Sequence, residues 1–440
     1  MPSKGCRILE DLNVIVQRGD YLKSCRVKAG RNYTFGKKGE GQFTINIDGA
    51  IGCVYGSSFK MERVANRLFH IKVLENNVAS SGIVTAGGED NRNLCDDGSS
   101  QKLTPEEISR LKSSGLTGKE VVQTITENSM TFKEKTVYSQ EKYVNKKQKK
   151  YDEIITIHRP SIRLLSTMYY LQDPLKISNL RIDSLSQLLC LANVQSGGRF
   201  VVFESGTSGL VAAAMLHRMG SSGHLVYVYH GNHPHRDAID LMNFTTSELE
   251  VLSFISYTKL CEQEGHSMLT NGMERPSTTD ETGALSSTNE MVFDSEQPVE
   301  EDTSLNENSE VNEKESADCQ KPTKSRIFVR KQADDVLVSS SILRDGVEGL
   351  IVACRLHPVN ITVRLLQFLK PGHSFVVFSP YKEPLMELYF ELKSLNCTNL
   401  RLSENWLRHY QVLPQRTHPE VNMSGGGGYL LYGIKISKET

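Results

Sequence analysis

The alternation of apolar runs with helices in the second half of the sequence constrains the fold more than any other feature. A helical segment near Asp183 leads through glycines to the run RFVVFE, and an Ala-rich helix separates that run from HLVYVY. The alternation resumes with GLIVACR and HSFVVFS, each followed by an amphipathic helix. Such a succession predicts parallel βαβ units. The ending, with LRLSENWLRHYQVL and GYLLYGIKIS, predicts a closing antiparallel pair, so an α/β domain is expected over residues 161–260 and 326–440.

An acidic segment over residues 261–325 interrupts this alternation. It is rich in Ser, Thr, Asn and Glu and cannot bury enough apolar surface to order itself, so we predict a disordered insert within the α/β domain. Between Glu262 and Ser325 it carries sixteen acidic and four basic side chains, which leaves +11 on the rest of a chain whose net charge is −1. A basic body suits a polyanionic partner, although lysines spread thinly over solvated faces would give the same total.

The N-terminal part of the sequence predicts a β-barrel-like domain over residues 1–86. Between residues 12 and 59, β-branched and aromatic runs alternate with turn-forming residues at the spacing of short antiparallel strands. Small barrels bind nucleic acid in some proteins and mediate only protein contacts in others. The sequence leaves both roles open.

Residues 87–160 predict a polar loop followed by a helical, basic linker. Thr104, Pro105 and Glu107 indicate a capped helix start. Further on, the run FKEKTVYSQEKYVNKKQKKY interleaves lysines with tyrosines. Lysines neutralise phosphates and tyrosines stack on bases, so this run favours RNA contact. A solvated helical face or a nuclear import signal is the alternative interpretation.

The turn after the first α/β strand resembles the turn with which class I methyltransferases hold S-adenosylmethionine. The strand ends in Glu204 and continues into Ser205-Gly206-Thr207-Ser208-Gly209 and a helix. Glycines in such a turn let the backbone approach a ligand closely. Here Ser208 replaces the usual middle glycine, and a tight turn that binds nothing explains the pattern equally well.

The tips of two later strands lack the carboxylates that this chemistry requires. The strand HLVYVY runs into His230, Gly231 and Asn232, and Asp237 comes too late to bind the ribose hydroxyls of a cofactor. After the fourth strand, Arg355 stands where an adenine-N1 methyltransferase needs an aspartate. We therefore predict a degenerate domain with no catalytic and no cofactor-binding residues. His230, His233 and His235 fall within six residues, but a polar loop accounts for them without a ligand, so no metal site is predicted either.

Composition adds two expectations. No run of 18 apolar residues occurs and the N-terminus lacks a signal-peptide core, which predicts neither membrane insertion nor secretion. The nine cysteines are scattered without any CxxC pair, which indicates reduced thiols rather than disulfides or a zinc site.

Nearly the whole chain, from GCVYG to GGGGYLLYG, resembles the non-catalytic subunits of the eukaryotic tRNA adenine-N1-methyltransferases. The most specific stretches are DNRNLCDDGSSQKLT, NSMTFKEKT, QEKYVNKKQKKY, RLHP, YKEPL, LRLSENWLRHYQVLP and MSGGGGYLL. The resemblance implies a class I methyltransferase-like (Rossmann-like) C-terminal domain. It also implies a nuclear heterotetramer with two copies each of this chain and of a catalytic subunit, in which the catalytic subunit holds S-adenosylmethionine and this chain grips tRNA.

The tRNA contacts implied by the resemblance fall on the loop after residue 90, the basic run and the turn that contains Lys176. They are Asn91, Arg92, Asn93, Gly98, Ser100, Gln101, Lys142, Tyr143, Lys146, Lys147, Lys149, Lys150, Tyr151 and Lys176. We add Arg355, which is expected to reach across the subunit interface to phosphates near the target base, and Arg326, which follows the acidic insert. Two alternatives stay open: a self-sufficient methyltransferase with a divergent pocket, and a scaffold without direct RNA contact.

Overall fold

The computed structural model describes residues 6–36, 42–65, 67–74, 100–113, 118–151, 154–262, 324–412 and 417–437. Most of the acidic insert and the loop that contains Asn91, Arg92, Asn93 and Gly98 lie outside these ranges. No helix within them is long and apolar enough to cross a membrane. Each of the seven cysteines in the described residues is a free thiol.

The N-terminal sheet has seven strands and is barrel-like, as predicted. Its strands are β1 (Asn13–Arg18), β2 (Tyr21–Arg26), β3 (Asn32–Phe35), β4 (Phe43–Asn46), β5 (Ser58–Ala65), β6 (Leu68–Val73) and β7 (Ile154–His158). Their order is β2-β1-β7-β5-β6-β4-β3. Side chains bridge the two edge strands, because Lys23 Nζ donates to the carbonyl of Thr34 at 2.9 Å and Tyr21 accepts from the Gly36 amide at 3.1 Å. The interior is apolar, with Val14, Ile45 and Phe59 fully buried.

Strand β7 corrects the predicted organisation, which placed residues 87–160 in the linker. It pairs antiparallel with β1 and with β5 and so lies inside the N-terminal sheet. Its residues Ile155 and Ile157 are completely buried in the barrel core. The segment between β6 and β7 therefore starts and ends in the barrel, as a helical excursion between two of its strands. It does not connect the barrel to the α/β domain.

The described residues of this excursion contain three helices: α1 (Pro105–Ser113), α2 (Gly118–Glu127) and α3 (Val137–Tyr151). The predicted cap of α1 is present, because the Glu107 carboxylate accepts from the Thr104 amide at 2.8 Å and Thr104 Oγ1 accepts from the Glu107 amide at 3.2 Å. A small core of Val121, Val122, Ile125, Phe132 and Val144 packs α2 against α3.

The second sheet also has seven strands and forms a doubly wound, Rossmann-like α/β domain. Its elements follow in the order α4 (Ile162–Gln172), a 3₁₀ turn (Pro174–Ile177), α5 (Ile182–Leu191), β8 (Arg199–Ser205), α6 (Leu210–Met219), β9 (His224–Tyr229), α7 (Asp237–Leu241), α8 (Thr246–Glu250), β10 (Leu252–Ser256), α9 (Lys324–Asp345), β11 (Val347–Cys354), α10 (Pro358–Leu366), β12 (Leu369–Ser379), α11 (Glu383–Ser394), β13 (Cys397–Glu404), β14 (Tyr410–Gln411), β15 (His418–Pro419) and β16 (Tyr429–Lys435).

The strand order of this sheet is β10-β9-β8-β11-β12-β16-β13. Strands β8 to β12 run parallel, and β16 inserts antiparallel between β12 and β13. The predicted closing pair is thus confirmed for β13 and β16, whereas β14 and β15 form a separate two-stranded ribbon. Because β10 and β11 belong to one sheet, the acidic segment between them interrupts this domain.

The barrel and the α/β domain are joined by specific contacts. The Asn13 amide donates to Asn243 Oδ1 at 2.8 Å, and Asn243 Nδ2 donates back to the Asn13 carbonyl at the same distance. Gln172 Nε2 donates to the carbonyl of Leu22 at 2.5 Å. Ile15 and Leu22 of the barrel also belong to the larger apolar core of the α/β domain. The two domains therefore share buried surface as well as hydrogen bonds.

Candidate functional site

The topology places one candidate site at the carboxyl ends of β8 and β11. From β8 the sheet grows through β9 and β10 on one side and through β11 and β12 on the other. In doubly wound folds the crevice at such a switch point is where ligands bind. Glu204, Gly206, His230 and Arg355 all lie at this edge.

Glu204 faces into the fold rather than toward a ligand. It is 1% exposed, and its carboxylate accepts hydrogen bonds from Thr207 Oγ1 at 2.5 Å and from the backbone amides of Val211 and Ala212 at 3.2 and 3.0 Å. Burial raises the pKa of this carboxyl above its usual range, and the hydrogen bonds oppose that shift only in part. Glu204 therefore accepts hydrogen bonds from backbone amides at the start of α6, which have no partner within the helix.

The turn after Glu204 is enclosed by its own chain. Ser208 and Gly209 adopt left-handed backbone angles, with φ of 57° and 74°. Ser208 Oγ donates to the carbonyl of Lys176 at 3.3 Å, and its own carbonyl accepts from the Ala238 amide at 3.0 Å. A β-carbon at Gly209 would lie 2.6 Å from the carbonyl oxygen of His235. Both faces of the turn are thus in contact with neighbouring segments.

Arg355 covers the remaining glycine of the turn. A β-carbon at Gly206 would lie 2.6 Å from Cγ, Cδ and Nε of Arg355. Arg355 Nε donates to Ser178 Oγ at 3.3 Å, and its guanidinium also donates to the carbonyl of Leu175. Ser178 Oγ in turn donates to the Gly206 carbonyl at 2.7 Å. The side chain predicted to reach across an interface is folded back over Gly206, although it keeps contact with solvent.

The residues present do not fit S-adenosylmethionine. Arg355 fills the space over Gly206 in which a ligand would otherwise contact the backbone. The Glu204 carboxylate is already hydrogen-bonded to the first turn of α6. His230, Gly231 and Asn232 at the tip of β9 are exposed and offer no carboxylate. Asp237 lies farther on, at the start of α7, where it forms an ion pair of 3.1 Å with Lys176. Among the described residues, no group of three His, Cys, Asp or Glu side chains could hold a metal ion.

The basic helix α3 presents part of its predicted contact set to solvent. Lys142 and Lys146, which lie four residues apart on one face of the helix, are exposed. Tyr143 is half-buried against Phe132, with ring centroids 5.7 Å apart, and the ammonium groups of Lys135 and Lys147 lie 4.9 and 5.2 Å from its ring. Tyr143 and Lys147 therefore contribute to the packing of this segment. Lys149, Lys150 and Tyr151 belong to α3, but their side chains lie outside the described set.

Ser100 and Gln101 hold the end of the polar loop against α2. The Ser100 carbonyl accepts from the Met130 amide at 2.9 Å, and Gln101 Nε2 donates to the Ile125 carbonyl at 3.0 Å. Gln101 also forms an isolated bridge with Ser129. Arg326 lies in the first turn of α9, and its side chain is outside the described set.

Two features of this edge were missed from the sequence. Arg181 is 5% exposed, binds Asp183 at 2.7 Å, and donates to the backbone carbonyls of Gly425 and Asn405 at 2.7 and 2.9 Å. It thereby fixes the glycine-rich segment before β16. The β14–β15 ribbon and its flanks expose Trp406, Val412 and Val421, with exposed fractions of 70%, 75% and 90%. In the sequence, this surface was indicated only by aromatic and β-branched residues between β13 and β16. These two strands pair with each other and not with the ribbon.

We expect the buried carboxyl of Glu204 to make stability depend on pH. Because its pKa is higher in the folded than in the unfolded state, the folded protein keeps this proton over a window above the ordinary carboxyl range. Unfolding free energy should therefore fall as pH rises through that window, by at most about 1.4 kcal/mol per pH unit. Urea unfolding of Glu204→Gln at several pH values should lack this slope. The exposed Glu391→Gln should keep it, and equal slopes in Glu204→Gln and the unsubstituted chain would contradict the assignment.

Comparison with known proteins gives relatives over almost the whole chain. The Gcd10p family matches residues 7–316. The "tRNA (adenine(58)-N(1))-methyltransferase non-catalytic subunit TRM6" of Mus musculus is 36% identical over 97% of this chain and 88% of its own length. The protein of the same name from Dictyostelium discoideum is 32% identical over 99% of this chain and 79% of its own length.

Among solved structures, the tRNA (m1A58) methyltransferase TrmI from Aquifex aeolicus aligns with 98% of this chain and 100% of its own, at a TM-score of 0.43 and 10% identity. A TM-score this low does not define a fold, and the Rossmann-like assignment rests on strand order and direction. The sequence relatives are decisive for the family. This chain belongs to the Gcd10p family, together with the non-catalytic TRM6 subunits.

Proposed function

We propose that this chain is the non-catalytic, tRNA-binding subunit of a tRNA (adenine-N1-)-methyltransferase, which positions the T-loop adenosine for a paired catalytic subunit. The observation that carries the proposal is the position of Arg355, which fills the space over Gly206 in a family whose relatives are named as non-catalytic subunits. S-adenosylmethionine would be bound by the catalytic partner and would supply the methyl group there. A self-sufficient methyltransferase would have to displace Arg355 and find another carboxylate for the ribose.

The exposed face of α3 supports direct contact with tRNA. Lys142 and Lys146 lie along one side of a helix whose opposite side packs through Gln140 and Val144. A row of ammonium groups follows a phosphate backbone without reading sequence, so this helix would position the RNA rather than select it. The same lysine-rich run has the composition of a nuclear import signal, which supports a nuclear location.

The β14–β15 ribbon supports assembly with the catalytic partner in a heterotetramer that contains two copies of each subunit. Trp406, Val412 and Val421 expose apolar surface on and beside the ribbon, and exposed apolar patches mark sites of protein contact. Gln411 Nε2 donates to the hydroxyl of Tyr138 at 2.7 Å, so the ribbon is attached to α3. A partner bound to the ribbon would lie near the basic helix.

The central test is methyl transfer with and without the partner. Copurified subunits should methylate an unmodified tRNA transcript, and this chain alone should not, because its own pocket is filled by Arg355. Incorporation of labelled methyl groups measures both cases, with the catalytic subunit alone as a further control. Methylation by this chain in isolation would refute the proposal.

Neutralising the exposed lysines of α3 should weaken tRNA binding. For Lys142→Ala combined with Lys146→Ala, we expect the slope of log affinity against log salt to fall by roughly 0.7–0.9 for each phosphate group that the helix no longer neutralises. Affinity of the assembled complex, measured at several salt concentrations, reports this slope. The matched pair Lys28→Ala and Lys72→Ala removes two exposed lysines of the barrel and should leave it unchanged. An unaltered slope in the α3 variant would exclude this helix from the RNA-binding surface.

Arg355→Ala should slow methylation while the complex still assembles. Loss of the guanidinium removes its hydrogen bonds to Ser178 Oγ and to the Leu175 carbonyl, so the segment that carries Lys176 should loosen. Misplacement of a positioning segment costs about tenfold to a hundredfold in rate. Single-turnover methylation measures the effect, and gel filtration checks assembly. Arg355→Lys, which restores the charge but not the planar fork, separates charge from geometry, and normal turnover in Arg355→Ala would contradict the role.

A further inference from the structure

One buried arginine connects the α/β domain to both ends of the segment that carries the β14–β15 ribbon. This segment, residues 405–428, leaves the sheet after Glu404 and returns to it at Tyr429, which pairs with Glu404 across β13 and β16. We propose that Arg181 is a positioning residue, which sets the direction of the ribbon and so presents Trp406 to the catalytic subunit. The inference rests on the proposed assembly through the ribbon and adds the residue on which that assembly depends.

All five N–H groups of the Arg181 guanidinium have an acceptor. Nε and Nη2 donate to the two carboxylate oxygens of Asp183 at 2.7 and 2.8 Å. Nη1 donates to Ser424 Oγ at 3.1 Å and to the Gly425 carbonyl at 2.7 Å, and Nη2 also donates to the Asn405 carbonyl at 2.9 Å. Asp183 therefore orients the guanidinium from α5, and the three remaining donors all bind the ribbon segment.

These contacts hold both ends of the ribbon segment at once. Asn405 directly follows β13, whereas Gly425 lies shortly before β16. Because one rigid, planar group binds the carbonyls of both residues, the two ends are kept at a fixed separation. Asn405 Nδ2 also donates to Ser184 Oγ at 3.3 Å, so this end is bound to α5 as well. The ribbon cannot turn about its base without breaking hydrogen bonds at both ends.

The glycine-rich end of the segment packs directly on this arginine. A β-carbon at Gly427 would lie 2.9 Å from Ser184 Oγ and 3.0 Å from Cζ and Nε of Arg181. The backbone of Gly427 does not adopt a left-handed conformation. The absence of a side chain at this position therefore serves the close approach to Arg181 and not a turn.

A contact that only stabilised the domain would not need a charge. Arg181 is 5% exposed, and the cost of removing a guanidinium from water offsets much of what its hydrogen bonds return, so a well-packed apolar side chain often stabilises a core equally well. An arginine differs in that its planar fork fixes the direction of each partner. The bound Asn405 adjoins Trp406, whose side chain is 70% exposed. An aromatic side chain on a fixed backbone is a good interface anchor, because little conformational freedom is lost on binding.

The test measures assembly of this chain with the catalytic subunit. Arg181→Lys keeps a charge beside Asp183 but cannot bind Asn405 and Gly425 together. The dissociation constant should therefore rise about tenfold, since the ribbon must then be ordered on binding. Hydrogen exchange at residues 405–412 should become faster in the unbound chain. Methylation should return to the unsubstituted rate when the catalytic subunit is raised to saturation, which separates positioning of the ribbon from a role in methyl transfer.

Val194→Ala is the matched control for stability. Val194 is 2% exposed in the apolar core that also contains α5, so its truncation should lower the melting temperature without altering assembly. Equal weakening of assembly by Val194→Ala and Arg181→Lys would reduce Arg181 to a structural residue and overturn the inference. Gly427→Ala perturbs the same contact from the ribbon side, because its methyl group would displace the guanidinium. It should also weaken assembly, and it decides the question if Arg181→Lys does not fold.

Trp406→Ala distinguishes this inference from the proposed function. If Trp406→Ala weakens assembly but Arg181→Lys and Gly427→Ala do not, the ribbon remains the partner surface and the positioning role is wrong. If none of the three variants alters assembly, the ribbon is not the partner surface. Weaker assembly by Arg181→Lys with normal assembly by Trp406→Ala would place the effect outside the ribbon and equally overturn the inference. Methyl transfer by the copurified, unsubstituted subunits tests the proposed function independently of all three variants.

Discussion

The packing of Arg355 against Gly206 determines what the α/β domain can do. One guanidinium joins the end of β11, the turn after β8 and the segment that follows α4, through Gly206, Ser178 and Leu175. In a nucleotide-binding fold the ligand would order these same segments. Here a side chain of the protein joins them instead, through its hydrogen bonds and its packing over Gly206.

The second organising feature is the way the barrel holds the basic helix. Helices α1 to α3 leave the barrel after β6 and return to it at β7, which is inserted between β1 and β5. Both ends of the excursion are therefore fixed in one sheet, and the β14–β15 ribbon contacts α3 through Gln411 and Tyr138. A helix constrained at three places presents its lysines at a defined position relative to the α/β domain.

Local patterns in the sequence predicted the parallel strands, the capped start of α1 and the β13–β16 pair, because each depends on neighbouring residues. They also indicated that β11 is followed by Arg355 and not by a carboxylate. Strand β7 was missed since its pairing with β1 and β5 is non-local and its five residues follow a strongly basic run. The inward direction of Arg355, the buried contacts of Arg181 and the half-buried ring of Tyr143 depend on tertiary packing that no local pattern encodes.

The position of β7 has a consequence for how the chain folds. Gln17 and His158, which are hydrogen-bonded at 2.8 Å, lie 141 positions apart in the sequence. During synthesis, the edge of β1 that pairs with β7 stays unpaired until the entire helical excursion has left the ribosome. Long-range closure of this kind slows folding, and exposed strand edges invite association with other chains. The architecture that fixes both ends of the helical excursion in the finished barrel thus leaves one edge of β1 open in the nascent chain until β7 has been made.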